Sequence, residues 1–541
     1  MRKLTMLFAL TIVPVLAFGA AGAEGAAAER MLPTPAGVLP IVEEPVTLKV
    51  FVAPAPFIGD FNTNKATIYW EDMTGVNIEW IQVPAQDKEE KLSLMLSSGS
   101  DLPDIISTPL SFEQVILYGS QGLFLPLNDL IDEYGHGVHK VFKLEPNARN
   151  VITAPDGNIY ALPYYNDCYH CRYAQRAWIN VDWMQRLGLE MPETTDELVE
   201  VLRAFKDNDA NGNGKEDEIP LLSLANSWHS DSTAFLMNPF TFNPGNSTMW
   251  RYVEGDEIVF APLQPGWKDG LRYLRMLHDE GLLDPESFSI DQNSLRQLTE
   301  NPGGNQVGMS LGGYHGMFAA LDADGAKNDY EALPPLAGPA GRQTPVYYVG
   351  ITPIFVVTKD SRHPEIAYRW GDMMYDETKA ILGGWGQEGE DWRPAKPGEL
   401  GITGEQATWV RLTEWGVPHN SHWGQSIPQI ADGNTYYFSV AAEQGAWNLE
   451  HELWKASTHA MKPYGIENKA LPPLFLDLDM VQELSEPLAL IRQHMDEWNA
   501  MFITGRKDID GDWDEFVRGL KDIGLDKVLE MTTAAYQRQY R

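Results

Sequence analysis

Apolar and polar residues alternate from Val46 to Val52, the period of a strand with a buried face. Lys65 to Thr74 has helical spacing, and Val76 to Val83 alternates again. Glu89 to Ser98 sets Leu92, Leu94, Met95 and Leu96 before a Gly-Ser break, which predicts a second helix. Asp104-Ile105-Ile106 reads as the next buried strand. Strand, helix, strand, helix, strand is the order of an α/β lobe on a mostly parallel sheet. From Asp182 the pattern turns helical: one helix stops at Gly188, and Thr194 with Glu197 makes a capping box for the next. Trp267 to His278 is an amphipathic helix closed at Gly281. Asn305 to Leu311 and Val346 to Thr358 return to strand chemistry, while His363 to Tyr375 and the run from Trp513 are helical. Without an internal repeat, this recurrence predicts two lobes that the chain crosses more than once.

The first hydrophobic run is of another kind. Arg2 and Lys3 precede an apolar stretch from Leu4 to Phe18, then Ala21-Gly22-Ala23 fits the small-x-small pattern of a signal-peptidase site. The stretch is shorter than the roughly 20 residues a bilayer span needs. A signal peptide over 1–23 and an exported, soluble chain are expected, periplasmic or extracellular. The first cysteine is Cys168, so none lies at the cleavage site to take a lipid. Residues 24–44, rich in Ala, Gly and Pro near their start, read as a flexible leader. With 41 basic and 76 acidic residues the net charge is −35, which argues against nucleic acid and anionic lipid as partners. Seventeen tryptophans and 21 tyrosines exceed what charge explains; most are expected in cores, some in a binding site.

The sharpest local motif is Asp209-Ala-Asn211-Gly-Asn213-Gly-Lys215-Glu-Asp217-Glu218. Oxygen donors at alternate positions around a glycine turn are what Ca²⁺ requires. Side chains of Asp209, Asn211 and Asn213, the Lys215 carbonyl and the carboxylates of Asp217 and Glu218 would supply them. Pro220 stands twelfth, where an EF-hand has glutamate, so Glu218 is read as its substitute. The competing reading is a solvated acidic turn. A second acidic run, Asp508 to Glu515, is read as capping for the helix that follows, not as an ion site. Gly308-Met-Ser310-Leu-Gly312 matches the hydrolase elbow, but a Gly-rich loop follows where a helix belongs. His451-Glu452 lacks the second histidine of a zinc helix, and nothing singles out a glycosidase carboxylate pair. No catalytic residue is assigned. A glycan-degrading hydrolase is the runner-up reading. Cys168-Tyr-His-Cys171 reads in an exported protein as a local disulfide, with free thiols and metal or redox chemistry as alternatives.

Several segments in order resemble one family. They include Leu92 to Asp104, Leu123 to Tyr134, Ala154 to Tyr164, Trp178 to Trp183, Leu202 to Glu218, and the ending from Trp513 with Ala535 to Tyr540. The chain resembles extracellular solute-binding proteins of ABC importers, in the branch that includes alginate-oligosaccharide binders. The resemblance implies an α/β, two-lobe periplasmic-binding-protein-like fold with a hinge and an interlobe cleft. It places the first lobe over 45–165, the second over 166–303, a return to the first over 304–355, and mainly second lobe with terminal helices over 356–541. It also implies that the 209–218 loop holds structural calcium. An oligosaccharide ligand, ABC permease partners and a monomer follow as expectations. The excess of acid leaves uronate specificity unsupported.

Sugar sites combine aromatic faces, which stack on C–H-rich rings, with a few orienting polar groups. Tyr164, Tyr165 and Asp167 lie where the family's chain first crosses its hinge. Trp228 and His229 follow the acidic loop, and Tyr314 and His315 sit in the Gly-rich loop. Trp385, Glu388 and Trp392 match the family's cleft segment, and Trp423 lies in a polar loop. These are the expected ligand residues.

Overall fold

In the computed structural model, residues 31–541 are described apart from 226, 322–324, 377–382, 434–436, 438–439, 442–446 and 475. The expected signal peptide lies outside the described residues. The first lobe is laid down by β1 (Val46–Val52), α1 (Lys65–Thr74), β2 (Val76–Gln82), α2 (Lys88–Ser98), β3 (Ile105–Ser107) and α3 (Phe112–Ser120). The alternation along β1 separates two cores. Val46, Leu48, Val50 and Val52 face the side of α1, whereas Phe51 faces α2 and α3. Asn64 caps α1 by accepting from the Ala66 N–H, and Gly75 ends it at φ +71, a left-handed turn that glycine adopts without strain.

The chain continues through β4 (Leu162–Asn166), β5 (Ala177–Asn180), α4 (Thr195–Asp207), α5 (Trp267–Asp279), β6 (Met309–Leu311) and β7 (Tyr330–Leu333). It ends with β8 (Ile351–Val357), α6 (Pro364–Asp372), β9 (Ile430–Ala431), α7 (Leu449–Lys455), α8 (Leu478–Ile503), α9 (Trp513–Ile523) and α10 (Leu525–Tyr540). The six-stranded sheet runs β9-β4-β8-β3-β1-β2. β1 is parallel to β2 and β3, and β8 is antiparallel to β3 and β4. A second sheet, β6-β5-β7, is antiparallel and belongs to the other lobe. Trp183, Phe205, Trp267 and Leu274 pack in the second lobe's core. The capping box on α4 is present as predicted.

These pairings divide the chain differently from the expected boundaries. Over 304–355, β6 and β7 pair with β5 in the second lobe, and the return to the first sheet begins only at Ile351. Residues after 356 do not pass at once to the second lobe. Ile366, Trp370, Trp385, Trp392, Trp423 and Ala431 fill the first lobe's core, because a strand returning to that sheet carries its helix onto the same face. The leader is packed from its end: Ile41 and Val42 are buried and both donate to the Thr74 carbonyl. Asp512 precedes α9 without capping it; its carboxylate accepts from the Asp508 N–H at 2.8 Å, so the acidic run folds back on itself. Helix α8 packs on both α5 and α3, so it links the lobes. Among the described residues no helix is long and apolar enough to cross a membrane.

Candidate ligand-binding cleft

β4 leaves the first sheet at Asn166, and β8 enters it at Ile351. Around these crossings lies a cavity of about 440 Å³ whose walls come from both lobes: Phe112 and Glu113 from one, Trp228, His229 and Arg251 from the other. Tyr347 and Tyr348, in the irregular segment just before β8, complete its aromatic lining. Trp228 is 39 % exposed and Tyr348 54 %, unusual for large rings and what a stacking surface requires.

Local backbone explains why Trp228 stands out. His229 has φ +55, a left-handed conformation that costs a non-glycine residue on the order of 1 kcal/mol. That turn lets the Trp228 ring leave the core. The Trp228 carbonyl accepts from the Gly313 N–H at 3.1 Å. The indole lies against Gly313, where a Cβ would collide with it. The Tyr314 ring is 6.3 Å from Trp228, and the His229 ring is 4.5 Å from Tyr347. Gly416 packs beside Tyr314, and its neighbour Trp415 meets Phe57 at 5.1 Å and His422 at 5.9 Å. An aromatic rim thus runs from Tyr347 and Tyr348 on the cavity wall through His229 and Trp228 to Tyr314, and the Phe57–Trp415 pair lies beyond Gly416, outside the cavity's lining.

Of the expected ligand residues, Trp228, His229 and Tyr314 come together on this rim. Tyr164 is buried on β4, its hydroxyl accepting from Gln425 Nε2 at 3.3 Å, and Tyr165 is half-buried opposite Ile351. Asp167 lies 3.4 Å from Arg172. His315 is fully buried beneath the rim, its ring 4.0 Å from Trp178. The remaining assignments need correction. Trp423 is 0 % exposed, donates to Thr67 Oγ1 at 2.8 Å and packs on Trp80 and Trp370. Trp392 donates to the Gly386 carbonyl, and Trp385 is covered by the Arg411 guanidinium 4.4 Å from its ring. These three indoles are committed to the core, and Glu388 is exposed in an isolated β-bridge with Trp392. Phe57, Trp415, Tyr347 and Tyr348 were not anticipated. The adjacent tyrosines before β8 were a usable signal, but the Phe57–Trp415 pairing joins residues far apart in the chain.

Groups on the rim and behind it are tuned by burial. His229 and His315 are each pushed down to about 3, mainly by burial, with the Arg176 charge adding to it. Burial likewise holds His170 well below its ordinary value, and pushes Glu450 up to about 7. His170 Nε2 lies 3.7 Å from Glu450 Oε2, but with the imidazole neutral this is no ion pair. Tyr169 donates its hydroxyl to the Glu450 carbonyl and carboxyl at 2.9 and 3.2 Å. Neutral imidazoles and apolar ring faces suit an uncharged ligand rich in C–H and hydroxyl groups. Ser310 is fully buried inside β6, paired with Trp178, which is not the exposed strand-to-helix turn a nucleophile elbow needs.

Cys168 and Cys171 are joined as a disulfide, with Cys171 on the cavity wall and His170 Nε2 3.5 Å from Cys168 Sγ. The sulfurs bond each other, so free thiols and thiolate metal ligands do not describe this state.

The 209–218 loop closes on itself through oxygen acceptors. The Gly214 N–H donates to Asp209 Oδ2 at 3.0 Å, the Asn213 N–H to Asn211 Oδ1 at 2.9 Å and the Lys215 N–H to Asn213 Oδ1 at 2.8 Å. Gly212 and Gly214 take φ +74 and +75, which the tight turn demands. Glu218 accepts from the Asn211 and Asp217 N–H groups, and Gln306 donates to Asp217 at 2.9 Å. Three carboxylates and two amides lie along one turn, with the Asn211 and Asn213 amide N–H groups donating to Asp217 at 3.0 and 2.9 Å, and side-chain oxygens of this kind are the chemistry a hard cation takes.

Comparison with known proteins accords with this arrangement. A curated relative, the fructooligosaccharide ABC transporter substrate-binding protein FusA of Streptococcus pneumoniae serotype 4 (strain ATCC BAA-334 / TIGR4), is 28% identical over 524 residues, 93% of this chain and 92% of that protein. The structure of FusA with kestose matches at TM-score 0.79 and 26% identity, over 91% of this chain and 99% of that one. A FusA EF-hand mutant with fructo-nystose matches at 0.77 and 25%, over 91% and 99%. The alginate-binding protein AlgQ2 without calcium ion shares the fold, at 0.70 and 22%, over 92% and 99%. The model of the bacterial extracellular solute-binding proteins matches residues 51–381, and the chain belongs to that family.

Proposed function

We propose that this protein is an exported receptor that captures an oligosaccharide between its lobes and delivers it to an ABC permease, without chemical change. The observation that carries the reading is the rim of exposed Trp228 and Tyr348 with Tyr314 and Tyr347, set around a cavity walled by both lobes. The likeness to FusA over nearly the whole chain makes a fructooligosaccharide the first ligand to try. A ligand held by both lobes stabilises the closed arrangement, which is how such a receptor would present cargo.

The test is calorimetric titration with kestose, fructo-nystose and an alginate trisaccharide, with each sugar analysed after incubation. Reversible binding of a neutral oligosaccharide, recovered intact, is expected. Product from any of them would overturn the receptor reading in favour of a hydrolase. Ca²⁺ belongs to the same proposal as a structural ion: Asp209, Asn211, Asn213, Lys215, Asp217 and Glu218 would hold it. The ion would neutralise crowded carboxylates and fix the turn after α4.

A further inference from the structure

Arg176 immediately precedes β5 and is fully buried, yet among the described residues no carboxylate lies within ion-pair distance of it. Buried Glu450 acts on the guanidinium through its charge without a direct ion pair, and burying a guanidinium without one is costly. The fork instead spans three neutral acceptors: the Gly313 carbonyl, the His170 carbonyl and Ser457 Oγ, the last at 2.7 Å. These acceptors belong to three segments distant in sequence: the Gly-rich loop, the disulfide loop and the helix after α7. The backbone of Arg176 grips the same loop, its carbonyl accepting from the Gly312 N–H at 3.1 Å. Trp178 Nε1–H donates to the Gly312 carbonyl at 2.8 Å. Gly312-Gly313 is therefore clamped from behind. In front of it lies Trp228, whose carbonyl takes the Gly313 N–H and whose ring rests where a side chain at 313 would stand.

We propose that Arg176 is the positioning residue of the ligand platform: its fork holds Gly313, and Gly313 sets the angle at which the Trp228 indole meets the sugar. The inference rests on the reading of Trp228 as a stacking residue. A planar five-donor fork suits the task, because lysine would keep the charge but reach as a single point. The same cation helps keep the surrounding His229, His170 and His315 neutral, after burial itself.

The test uses full-length protein labelled with 5-fluorotryptophan, the Trp228 resonance being assigned by Trp228→Phe. Arg176→Lys is expected to shift and broaden that resonance while leaving those of the first lobe's core unchanged. It should also weaken kestose binding several-fold, yet cause no further loss in a Trp228→Ala background. An unmoved Trp228 resonance, or a loss of affinity that simply adds to that of Trp228→Ala, overturns the proposal. If Arg176→Lys does not fold, Arg176→Gln, which keeps a planar donor without the charge, is judged by the same resonance. If Trp228→Ala binds kestose like the wild type, the reading of the rim fails, while the fluorine signal still decides whether Arg176 holds Trp228.

Discussion

Among the tryptophans, exposure separates two fates that composition blends. Trp228→Ala removes one aromatic face from the rim, worth about 1 kcal/mol, so sugar affinity should fall several-fold with the melting temperature little changed. Trp423→Ala empties a fully buried site and strands Thr67, so it should cost about 3–5 kcal/mol of stability. The folded fraction of that variant should bind normally. Equal effects of the two variants on affinity would contradict the division between rim and core. Glu450 makes a different prediction. Its folded value of about 7 lies above the ordinary carboxyl value, so the folded state keeps a proton that the unfolded chain releases. Its contribution is least unfavourable below the ordinary carboxyl range and worsens as pH rises through about 7, by roughly 3–4 kcal/mol in all. Glu450→Gln should therefore raise the melting temperature at pH 8 and hardly at pH 4. A difference independent of pH would show that the group does not titrate in this window.

The helices and strands of the first lobe follow local rules, and the acidic loop after α4 does so most openly. If it binds Ca²⁺ as proposed, stability rises as RT ln(1 + [L]/Kd), about 2.7 kcal/mol at a hundredfold excess. Chelator at constant ionic strength should lower the melting temperature, and added calcium should restore it. Asp209→Ala should abolish that response and leave sugar affinity nearly unchanged, because Asp209 is bonded to the Gly214 N–H within its own turn and is not among the residues lining the cavity. A wild type indifferent to chelator would leave a solvated acidic turn. The C-terminal acidic run binds its own backbone and Lys268, Arg272 and Lys507, so Asp510, Asp512 and Glu515 already have partners.

For the whole molecule, the proposed closure predicts a smaller radius of gyration with saturating kestose, measured by small-angle scattering. An unchanged radius on saturation would mean the cavity accepts ligand without lobe movement. Helix α8 sets a constraint on that motion, since it packs on α3 of the first lobe and α5 of the second. The proposed closure therefore pivots around contacts that join Leu478–Ile503 to Phe112–Ser120 and Trp267–Asp279.

Period and capping alone determined β1, α1, β2, α2 and the start of α4, because their alternation and end residues act within a few positions. The oxygen-rich loop and the Cys168–Cys171 ring were legible for the same reason: their partners are neighbours in sequence. Tertiary structure alone decided that β6 and β7 join β5, since a short buried strand carries no mark of which sheet it will enter. It also decided which tryptophans are buried. Trp423 and Trp228 both lie in polar loops, and only the packing of Thr67, Trp80 and Trp370 around one, and of Gly313 beneath the other, separates core from rim. Spacing encodes a side chain's neighbours along its own element; whether it meets solvent depends on segments hundreds of residues away.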